Sequence, residues 1–380
     1  MKKFLFGLLF SGIFFIGGNV YANDEHILSV KTEVVEQEVV DYATDNLSFY
    51  LKGMIKAEKG EGSLLNYKLS APFSLLEKDN KNNLILFPVT KDGKIEYIFY
   101  VKKENDGFSS KLSKMMVDEL NNLEEQGENR PITLIASEDG SIYYEDNNTV
   151  FLLWENPDLK TESSQKDSAE VVLDEHKSED LNQISLNDTI DYDSNGSTEI
   201  VNESSSELVS RSITLNKFGT RINWKISEIQ KGNDWCMAYA TTMILINKND
   251  ARTTKVSDIV KWGKKGKNNG FTPEEIIKYA KTRGVYPKLL ERPTTWSESL
   301  TQFRKSNALL GLWKSQVNTF HAIDLLGTYS ENYMGKQMNG YIIWNPWNNY
   351  TEIIDASPKQ IKYIANSKRT YTWIGTITNW

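Results

Sequence analysis

A single cysteine, Cys236, occurs in the 380 residues of this chain, so no disulfide can form within it. Residues 1–22 have a basic start, an apolar core from Phe4 to Ile16 and a small-residue cleavage site at Val20-Tyr21-Ala22, as in a secretory leader. An exported chain without disulfides must be stabilised by a packed core or a bound ion. Its 39% hydrophobic residues suffice for two domains. We therefore expect a secreted protein with two folded domains and no membrane anchor.

The net charge of −7 conceals two halves of opposite sign. Residues 1–210 hold 19 basic and 39 acidic residues, a net charge of 19 − 39 = −20. Residues 211–380 hold 25 basic and 12 acidic residues, a net charge of 25 − 12 = +13. Opposite charges of this size attract, most strongly at low salt. We expect the acidic half to dock on the basic half.

Residues 23–154 show the pattern of a small α+β domain. Apolar runs from Leu84 to Val89 and from Ile95 to Val101 flank Lys91-Asp92-Gly93, which predicts a hairpin. Three shorter runs predict further strands, at Ile132–Ala136, Ser141–Tyr144 and Thr149–Trp154. Apolar spacing from Lys111 to Gln126 predicts a helix. No grouping of catalytic residue types occurs in this domain.

Residues 155–210 differ in composition, with 15 acidic residues, 3 lysines and hardly any aromatic side chain. Such a segment buries too little apolar surface to offset the entropy cost of ordering, so we expect a disordered tether. His176 lies within it and is therefore a poor candidate for a positioned base. Tethers of this kind are easily cleaved.

Residues 211–380 begin with helical patterns and end with strand patterns. An apolar run from Met237 to Asn247 predicts a helix. Thr272-Pro273-Glu274-Glu275 and Thr295-Trp296-Ser297-Glu298 are start signals for two more, ending near Lys281 and Arg304. Strands are predicted at Ala308–Trp313, Ala322–Leu326, Tyr341–Trp344 and Thr370–Thr378.

Cys236 lies where the first of these helices begins, after Asn233-Asp234-Trp235. A lone cysteine is more often a packing residue, but a thiol in a first helical turn is acidified by the helix dipole. That effect is worth at most about 2 kcal/mol, or about 1.5 pKa units, so full ionisation needs a neighbouring imidazolium. His321 is the only histidine of residues 211–380. Gln230 precedes Cys236 by six residues, and Asn345 follows His321.

The order Gln230, Cys236, His321, Asn345 resembles that of papain-like cysteine peptidases. The runs Trp235-Cys236, His321-Ala322 and Ile342-Ile343-Trp344-Asn345-Pro346-Trp347 resemble most closely the staphopains, secreted thiol peptidases of Gram-positive bacteria. The resemblance covers about residues 211–380 and, weakly, the segment before it.

The resemblance implies a two-lobe fold, a helical lobe plus a β-barrel-like lobe, preceded by an α+β half-barrel, cystatin-like inhibitory propeptide domain. It also implies roles: Cys236 as nucleophile, His321 as acid and base, Asn345 as the residue that orients His321, Gln230 as oxyanion donor and Trp347 as a shield. Processing would fall near residues 206–212. Protein substrates and a cytosolic inhibitor of the staphostatin type are the implied partners.

Three sites depart from the family pattern: Asp234, Asp324 and the pair Met237-Ala238, which replaces a smaller Ala-Gly pair behind Cys236. Asp234 replaces the usual glycine before Trp-Cys, which matters if the backbone there needs positive φ. Asp324 replaces a small residue, and three positions along a strand it should face away from His321.

Two other functions stay open on the sequence. One is a papain-fold cell-wall amidase or transacylase, and the other is a non-catalytic secreted binding protein. Three scattered histidines and one cysteine predict no metal site, and no cofactor motif occurs. The lysines around Lys264 flank Gly263 and Gly266, as in a solvated loop, so we expect no nucleic-acid binding. We expect a monomer.

Overall fold

The computed structural model describes residues 28–59, 62–78, 83–126, 131–157, 166–176, 180–192, 221–248, 255–333, 335–356 and 360–380. The predicted leader and the predicted processing region lie outside these ranges. The described residues form a mixed α+β structure with two mainly antiparallel sheets, in which only β1 and β7 pair parallel among the named strands. No described helix is both long enough and apolar enough to cross a membrane.

The helices are α1 (Gln37–Lys59), α2 (Val117–Glu125), α3 (Lys166–Glu175), α4 (Cys236–Asn247), α5 (Val256–Gly263), α6 (Pro273–Thr282) and α7 (Trp296–Arg304). The strands before α4 are β1 (Ser29–Thr32), β2 (Tyr67–Ser70), β3 (Phe73–Ser74), β4 (Leu84–Lys91), β5 (Lys94–Glu104), β6 (Gly107–Ser113), β7 (Ile132–Ala136), β8 (Ile142–Asp146), β9 (Thr149–Trp154), β10 (Asn182–Ser185) and β11 (Thr189–Ile190). Those after α4 are β12 (Lys288–Leu290), β13 (Leu309–Ser315), β14 (Phe320–Tyr333), β15 (Lys336–Trp344), β16 (Glu352–Asp355), β17 (Lys362–Ile364) and β18 (Thr370–Thr378).

The predicted hairpin in the N-terminal half is confirmed. Strands β4 and β5 pair antiparallel from Leu84↔Lys102 to Lys91↔Lys94. Asp92 and Gly93 between them both have positive φ, at 51° and 81°. A two-residue turn of this hand matches the twist of the paired strands. The predicted strands β7, β8 and β9 are confirmed as an antiparallel meander.

The helix predicted from Lys111 to Gln126 is wrong in its first part. Residues 107–113 form β6, which pairs with β5, and the chain turns at Met116 with φ of 69° before α2 begins. Leu112 and Met115 are buried as a helix would require, but Leu112 lies on β6 and Met115 lies in the turn before α2. Helix α1, which the sequence did not predict, supplies a further apolar core with β2, β4 and β5.

The segment 155–210 differs from the expected tether wherever it is described. Residues 166–175 form α3, β10 pairs antiparallel with β1, and β11 pairs with β2. Ala169 and Val172 are buried in a small apolar cluster with Ile135 and Tyr143. The disorder predicted from composition is wrong here, because a few apolar side chains are enough to order a segment when a folded sheet provides the surface on which they pack.

The C-terminal half follows the predicted order of helices and strands. Thr272 and Thr295 form the predicted capping boxes, with Glu275 and Glu298 as the reciprocal partners. Strands β13, β14, β15 and β18 are confirmed, and they form one antiparallel sheet with β14 between β13 and β15. Helix α4 packs on β14 through an apolar core that includes Ala238, Met243 and Leu326.

One sheet runs through both halves of the molecule. Strand β6 of the N-terminal half pairs with β16 of the C-terminal half, at Leu112↔Ile353 and Lys111↔Ile354. Lysine–glutamate pairs cross the same boundary, among them Lys362–Glu104 at 2.8 Å and Lys368–Glu77 at 3.0 Å. These two follow the expected polarity, with the lysine on the basic half.

Two buried pairs at this boundary have the opposite polarity. Lys52 pairs with Glu331, and Lys111 pairs with Glu352, each at 3.0 Å. In both, the lysine comes from the acidic half. The overall charge imbalance therefore does not describe the buried part of the interface.

Candidate active site

Cys236 is the first residue of α4. Trp235 is the N-cap and contributes no side-chain cap bond. The side chains of Asn233–Trp235 therefore do not cap the first turn of α4 in the usual way. Asn233 Oδ1 instead accepts from the Trp235 backbone N–H at 3.1 Å. Of the residues before Cys236, Gly232 has positive φ, at 55°, and Asp234 does not. Asp234 therefore replaces glycine without backbone strain.

His321 and Asn345 lie on neighbouring strands. His321 is the second residue of β14, and Asn345 follows directly after β15. His321 Nε2 lies 2.8 Å from Asn345 Oδ1, and both side chains are buried. The Trp347 ring stacks on the imidazole with centroids 4.0 Å apart and planes 22° apart. Trp347 N–H also donates to Asn345 Oδ1 at 3.1 Å, so the turn after β15 holds the shield and the amide together.

Cys236 and His321 line the same cleft, which has a volume of about 640 Å³. Gln230 and Asp234 also line it, and its walls are largely apolar. The apolar wall residues are Met237, Phe271, Leu289, Leu312, Phe320 and Ile374. Every residue of this lining belongs to the C-terminal half. The cleft lies between helix α4 on one side and strands β13, β14 and β18 on the other.

The environment of His321 disfavours an isolated positive charge. Burial lowers the pKa of His321 from 6.5 to about 4; the hydrogen bond to Asn345 opposes this shift, and nearby Arg369 adds to it. A thiolate on Cys236 would supply the missing counter-charge. If Cys236 gives its proton to His321, the two groups gain their charges together, as a coupled pair rather than as independent titrations.

Gln230 is buried beside the cleft and held by two hydrogen bonds. Its backbone N–H donates to Pro346 O at 2.8 Å, which ties it to the turn that carries Asn345. Its side-chain Nε2 donates to Asn233 O, and Oε1 is buried without a hydrogen-bond partner. Nε2 has a second N–H, and the residue lines the cleft, so an amide donor is available next to Cys236.

Sequence reasoning missed two residues behind Asn345. Asn345 Nδ2 donates to Tyr363 OH at 2.8 Å, and Tyr363 OH donates to Glu352 Oε2 at 2.8 Å. Both Tyr363 and Glu352 are buried. A glutamate inside the apolar run of β16 is the one signal that could have found this site, because a buried carboxylate requires partners.

Asp324 lies on the opposite face of β14 from His321, as predicted. Its neighbours Ala322 and Leu326 belong to the core under α4, whereas Ile323 and Leu325 belong to the core on the His321 side. Asp324 is fully buried, and neither carboxyl oxygen has a hydrogen-bond partner. Burial raises the pKa of Asp324 well above its ordinary value.

His176 is remote from this site. Its ring is buried, and Nε2 lies 2.9 Å from Glu77 O. Within the described part of the chain, no group of three or more His, Cys, Asp or Glu side chains is arranged to hold a metal ion.

Comparison with known proteins gives four findings. Residues 215–380 match the family model described as Staphopain peptidase C47. Staphopain A of Staphylococcus aureus strain MSSA476 is 25% identical over 376 residues, covering 94% of this chain and 92% of that protein. Staphopain B of the same strain is 25% identical over 374 residues, covering 92% and 88%. The crystal structure of UfSP from C. elegans covers 93% of this chain and 75% of its own, at 10% identity and a TM-score of 0.28, which is too low to carry an argument.

Proposed function

This chain belongs to the staphopain peptidase C47 family of cysteine peptidases through residues 215–380, and on that premise we propose that it is a secreted endopeptidase made as an inactive precursor. Cys236, His321 and Asn345 are its catalytic residues, and Gln230 supplies an oxyanion donor. The observation that carries the proposal is the bond between His321 Nε2 and Asn345 Oδ1, stacked under Trp347, on the cleft that holds Cys236. In this proposal the helical wall and the sheet wall of that cleft are the two lobes of a papain-like fold.

The proposed reaction begins when the thiol proton passes to His321 and the Cys236 sulfur attacks a peptide carbonyl carbon. The carbonyl oxygen becomes an oxyanion, which accepts from Gln230 Nε2 and from the Cys236 backbone N–H; one such donor is worth about 3 kcal/mol of barrier. The imidazolium gives its proton to the leaving amine as the acyl-enzyme forms. His321 then removes a proton from water, which hydrolyses the thioester.

Substrate binding follows from the apolar walls of the cleft. An extended peptide can place apolar side chains against Leu289, Leu312 and Ile374 while its backbone lies over Cys236. Apolar pockets with a few placed polar groups are the usual form of a ligand site. We propose extracellular proteins as the substrates.

The N-terminal half lies beside this site, which supports an inhibitory role. Gly232 N–H donates to Pro157 O at 3.4 Å, and Trp154 to Pro157 share a cavity with Ile229, Lys231 and Trp347. The segment therefore contacts the loop that carries Gln230 and shares a cavity with Trp347, the shield of His321. Removal of residues 23–210 would free that side of the site.

A hydrolysis assay tests the proposal. We expect the processed chain to cleave casein and the Cys236→Ala chain to be inactive, while the unprocessed chain cleaves slowly or not at all. Purified peptidoglycan, assayed in parallel, separates a peptidase from a cell-wall amidase. Cleavage of peptidoglycan but not of casein would contradict the proposal, as would unchanged casein cleavage by Cys236→Ala.

A further inference from the structure

A continuous chain of buried hydrogen bonds joins His321 to the N-terminal half. It starts with His321 Nε2 and Asn345 Oδ1 and continues through Asn345 Nδ2 and Tyr363 OH to Glu352 Oε2, each step 2.8 Å long. Lys111 Nζ then donates to Glu352 Oε1 at 3.0 Å. Lys111 lies on β6, and the other four residues belong to the C-terminal half.

The outer end of this chain sets the direction of every bond in it, and the Trp347 N–H that donates to Asn345 Oδ1 at 3.1 Å favours the same amide orientation. Glu352 accepts from Lys111, from Tyr363 and, at 3.1 Å, from Asn348 Nδ2. A carboxylate paired with an ammonium group can only accept. The single Tyr363 proton is therefore directed at Glu352, and burial together with the Glu352 charge raises the pKa of Tyr363 well above its ordinary value, so the phenol keeps that proton.

The orientation of the Asn345 amide and the tautomer of His321 follow from the direction of the Tyr363 hydrogen bond. The Tyr363 oxygen has a lone pair left for Asn345, so the amide must present Nδ2 to it and Oδ1 to His321. His321 must then carry its proton on Nε2. That tautomer leaves Nδ1 as the nitrogen that can take the thiol proton. With the amide turned by 180°, Nδ2 would face Nε2, the proton would sit on Nδ1, and His321 could not act as a base toward Cys236.

The Lys111 ammonium group is buried and contacts aromatic rings from both halves of the molecule. Its Nζ lies 4.7 Å from the centroid of the Tyr100 ring and 4.9 Å from that of Tyr363. Tyr100 belongs to the N-terminal half and Tyr363 to the C-terminal half, so the ammonium group is held between rings from both. The side-chain exposures of Lys111 and Glu352 are 1% and 0%. Water cannot replace Lys111 as the partner of Glu352 while the halves are docked.

We propose that Glu352, acting through Tyr363, is the positioning residue that sets the Asn345 amide and hence the His321 tautomer, and that Lys111 is the cation that holds Glu352 in this role in the unprocessed chain. The N-terminal half thus preserves the working geometry of His321 while it lies beside the site. This inference rests on the proposed function. Loss of the N-terminal half would leave β16 paired only with β15, as an edge strand, where water can solvate Glu352.

The first test uses the unprocessed chain carrying Cys236→Ala, labelled with ¹⁵N-histidine. Side-chain ¹⁵N shifts distinguish the two tautomers, and His321 is the only histidine of residues 211–380. We expect the Nε2–H tautomer alone in this background. Glu352→Gln, Tyr363→Phe and Lys111→Met should each add a second, Nδ1–H population. His176, bonded to Glu77 O, reports correct folding in the same spectrum.

Two matched controls separate positioning from general destabilisation. Tyr341→Phe removes another buried phenol, bonded to Ser299 Oγ at 3.1 Å. Lys52→Met removes the other buried interface pair, Lys52–Glu331. Neither should change the tautomer. A single Nε2–H tautomer in both Glu352→Gln and Tyr363→Phe would overturn the proposal, and so would equal tautomer changes in the controls.

The second test is kinetic and uses the processed enzyme. Tyr363 does not line the cleft, so Tyr363→Phe should lower kcat with little change in KM. Loss of such outer-shell partners elsewhere costs about 10- to 100-fold, and a wrong tautomer up to about 10⁴-fold. A kcat within twofold of wild type would contradict the inference. The tautomer measurement does not need activity, so a wild type that fails to cleave casein would refute the proposed function alone.

Discussion

The pair Lys111–Glu352 allows a quantitative test of how the two halves are held together. The two charges lie 3.0 Å apart, with side-chain exposures of 1% and 0%. At an effective dielectric constant of about 20, unit charges at this distance attract by about 5.5 kcal/mol. Burial offsets much of this attraction, because both groups lose their hydration. Removing one partner, however, leaves the other buried and uncompensated.

We therefore expect Lys111→Met and Glu352→Gln each to lower the free energy of unfolding of the unprocessed chain by about 3–5 kcal/mol. The double variant replaces the pair with two neutral side chains of similar shape, so its loss should be smaller than either single loss. A double-mutant cycle should then give a coupling energy of about 3 kcal/mol or more. Urea denaturation of the Cys236→Ala background, followed by tryptophan fluorescence, measures all four values.

Lys94→Met is the matched control. Lys94 and Glu125 are also 3.0 Å apart, but their side-chain exposures are 70% and 64%. Solvent screening leaves such a pair little net stabilisation, so Lys94→Met should cost far less stability than Lys111→Met. Because the charged atoms are 3.0 Å apart in both pairs, the comparison between Lys94–Glu125 and Lys111–Glu352 isolates the effect of burial. Single losses below 1 kcal/mol at Lys111 and Glu352, or additive losses in the double variant, would refute the reasoning.

Three further outcomes are expected. In the Cys236→Ala chain no thiolate can balance His321, and burial lowers the pKa of His321 from 6.5 to about 4. Between these pH values the unfolded chain binds more protons than the folded chain, so the free energy of unfolding should rise by about 3 kcal/mol from pH 4 to pH 6.5. Adding His321→Gln should abolish that rise in urea titrations. Burial raises the pKa of Asp324, so the unfavourable contribution of this carboxyl to stability grows as pH increases. Asp324→Val should therefore raise the free energy of unfolding by about 1–3 kcal/mol at pH 7 and by less at pH 4; a loss of stability at pH 7 would contradict this expectation. Gln230→Ala should lower kcat by about 10²- to 10³-fold with near-normal labelling of Cys236, whereas unchanged kcat would remove Gln230 from the oxyanion site.

Sequence analysis succeeded where the deciding interactions are local. The capping boxes at Thr272 and Thr295 form because each polar group meets a backbone N–H within one helical turn. The Asp92-Gly93 turn is specified by the residues that tolerate positive φ. The order of Cys236 and His321 predicted two residues that the structure places on one cleft.

Sequence analysis failed where the deciding contacts join distant residues. The pairing of β6 with β16 brings together residues more than two hundred positions apart, and no local pattern specifies such a partner. Residues 166–176 and 180–192 were misjudged because their order depends on distant strands: α3 packs on β7 and β9, β10 pairs with β1, and β11 pairs with β2. Tyr363 and Glu352 carry no motif; their place behind Asn345 follows only from the register of the sheet.

The central claim is that Cys236 is a nucleophile activated by His321, and labelling by the thiol-directed epoxide E-64 tests it most directly. The account predicts that the processed enzyme incorporates one label per chain at Cys236. It also predicts a much slower rate in His321→Gln, because helix α4 alone shifts the pKa of a thiol by about 1.5 units at most. A folded, processed enzyme that remains unlabelled, or that labels equally fast without the imidazole, would contradict the account.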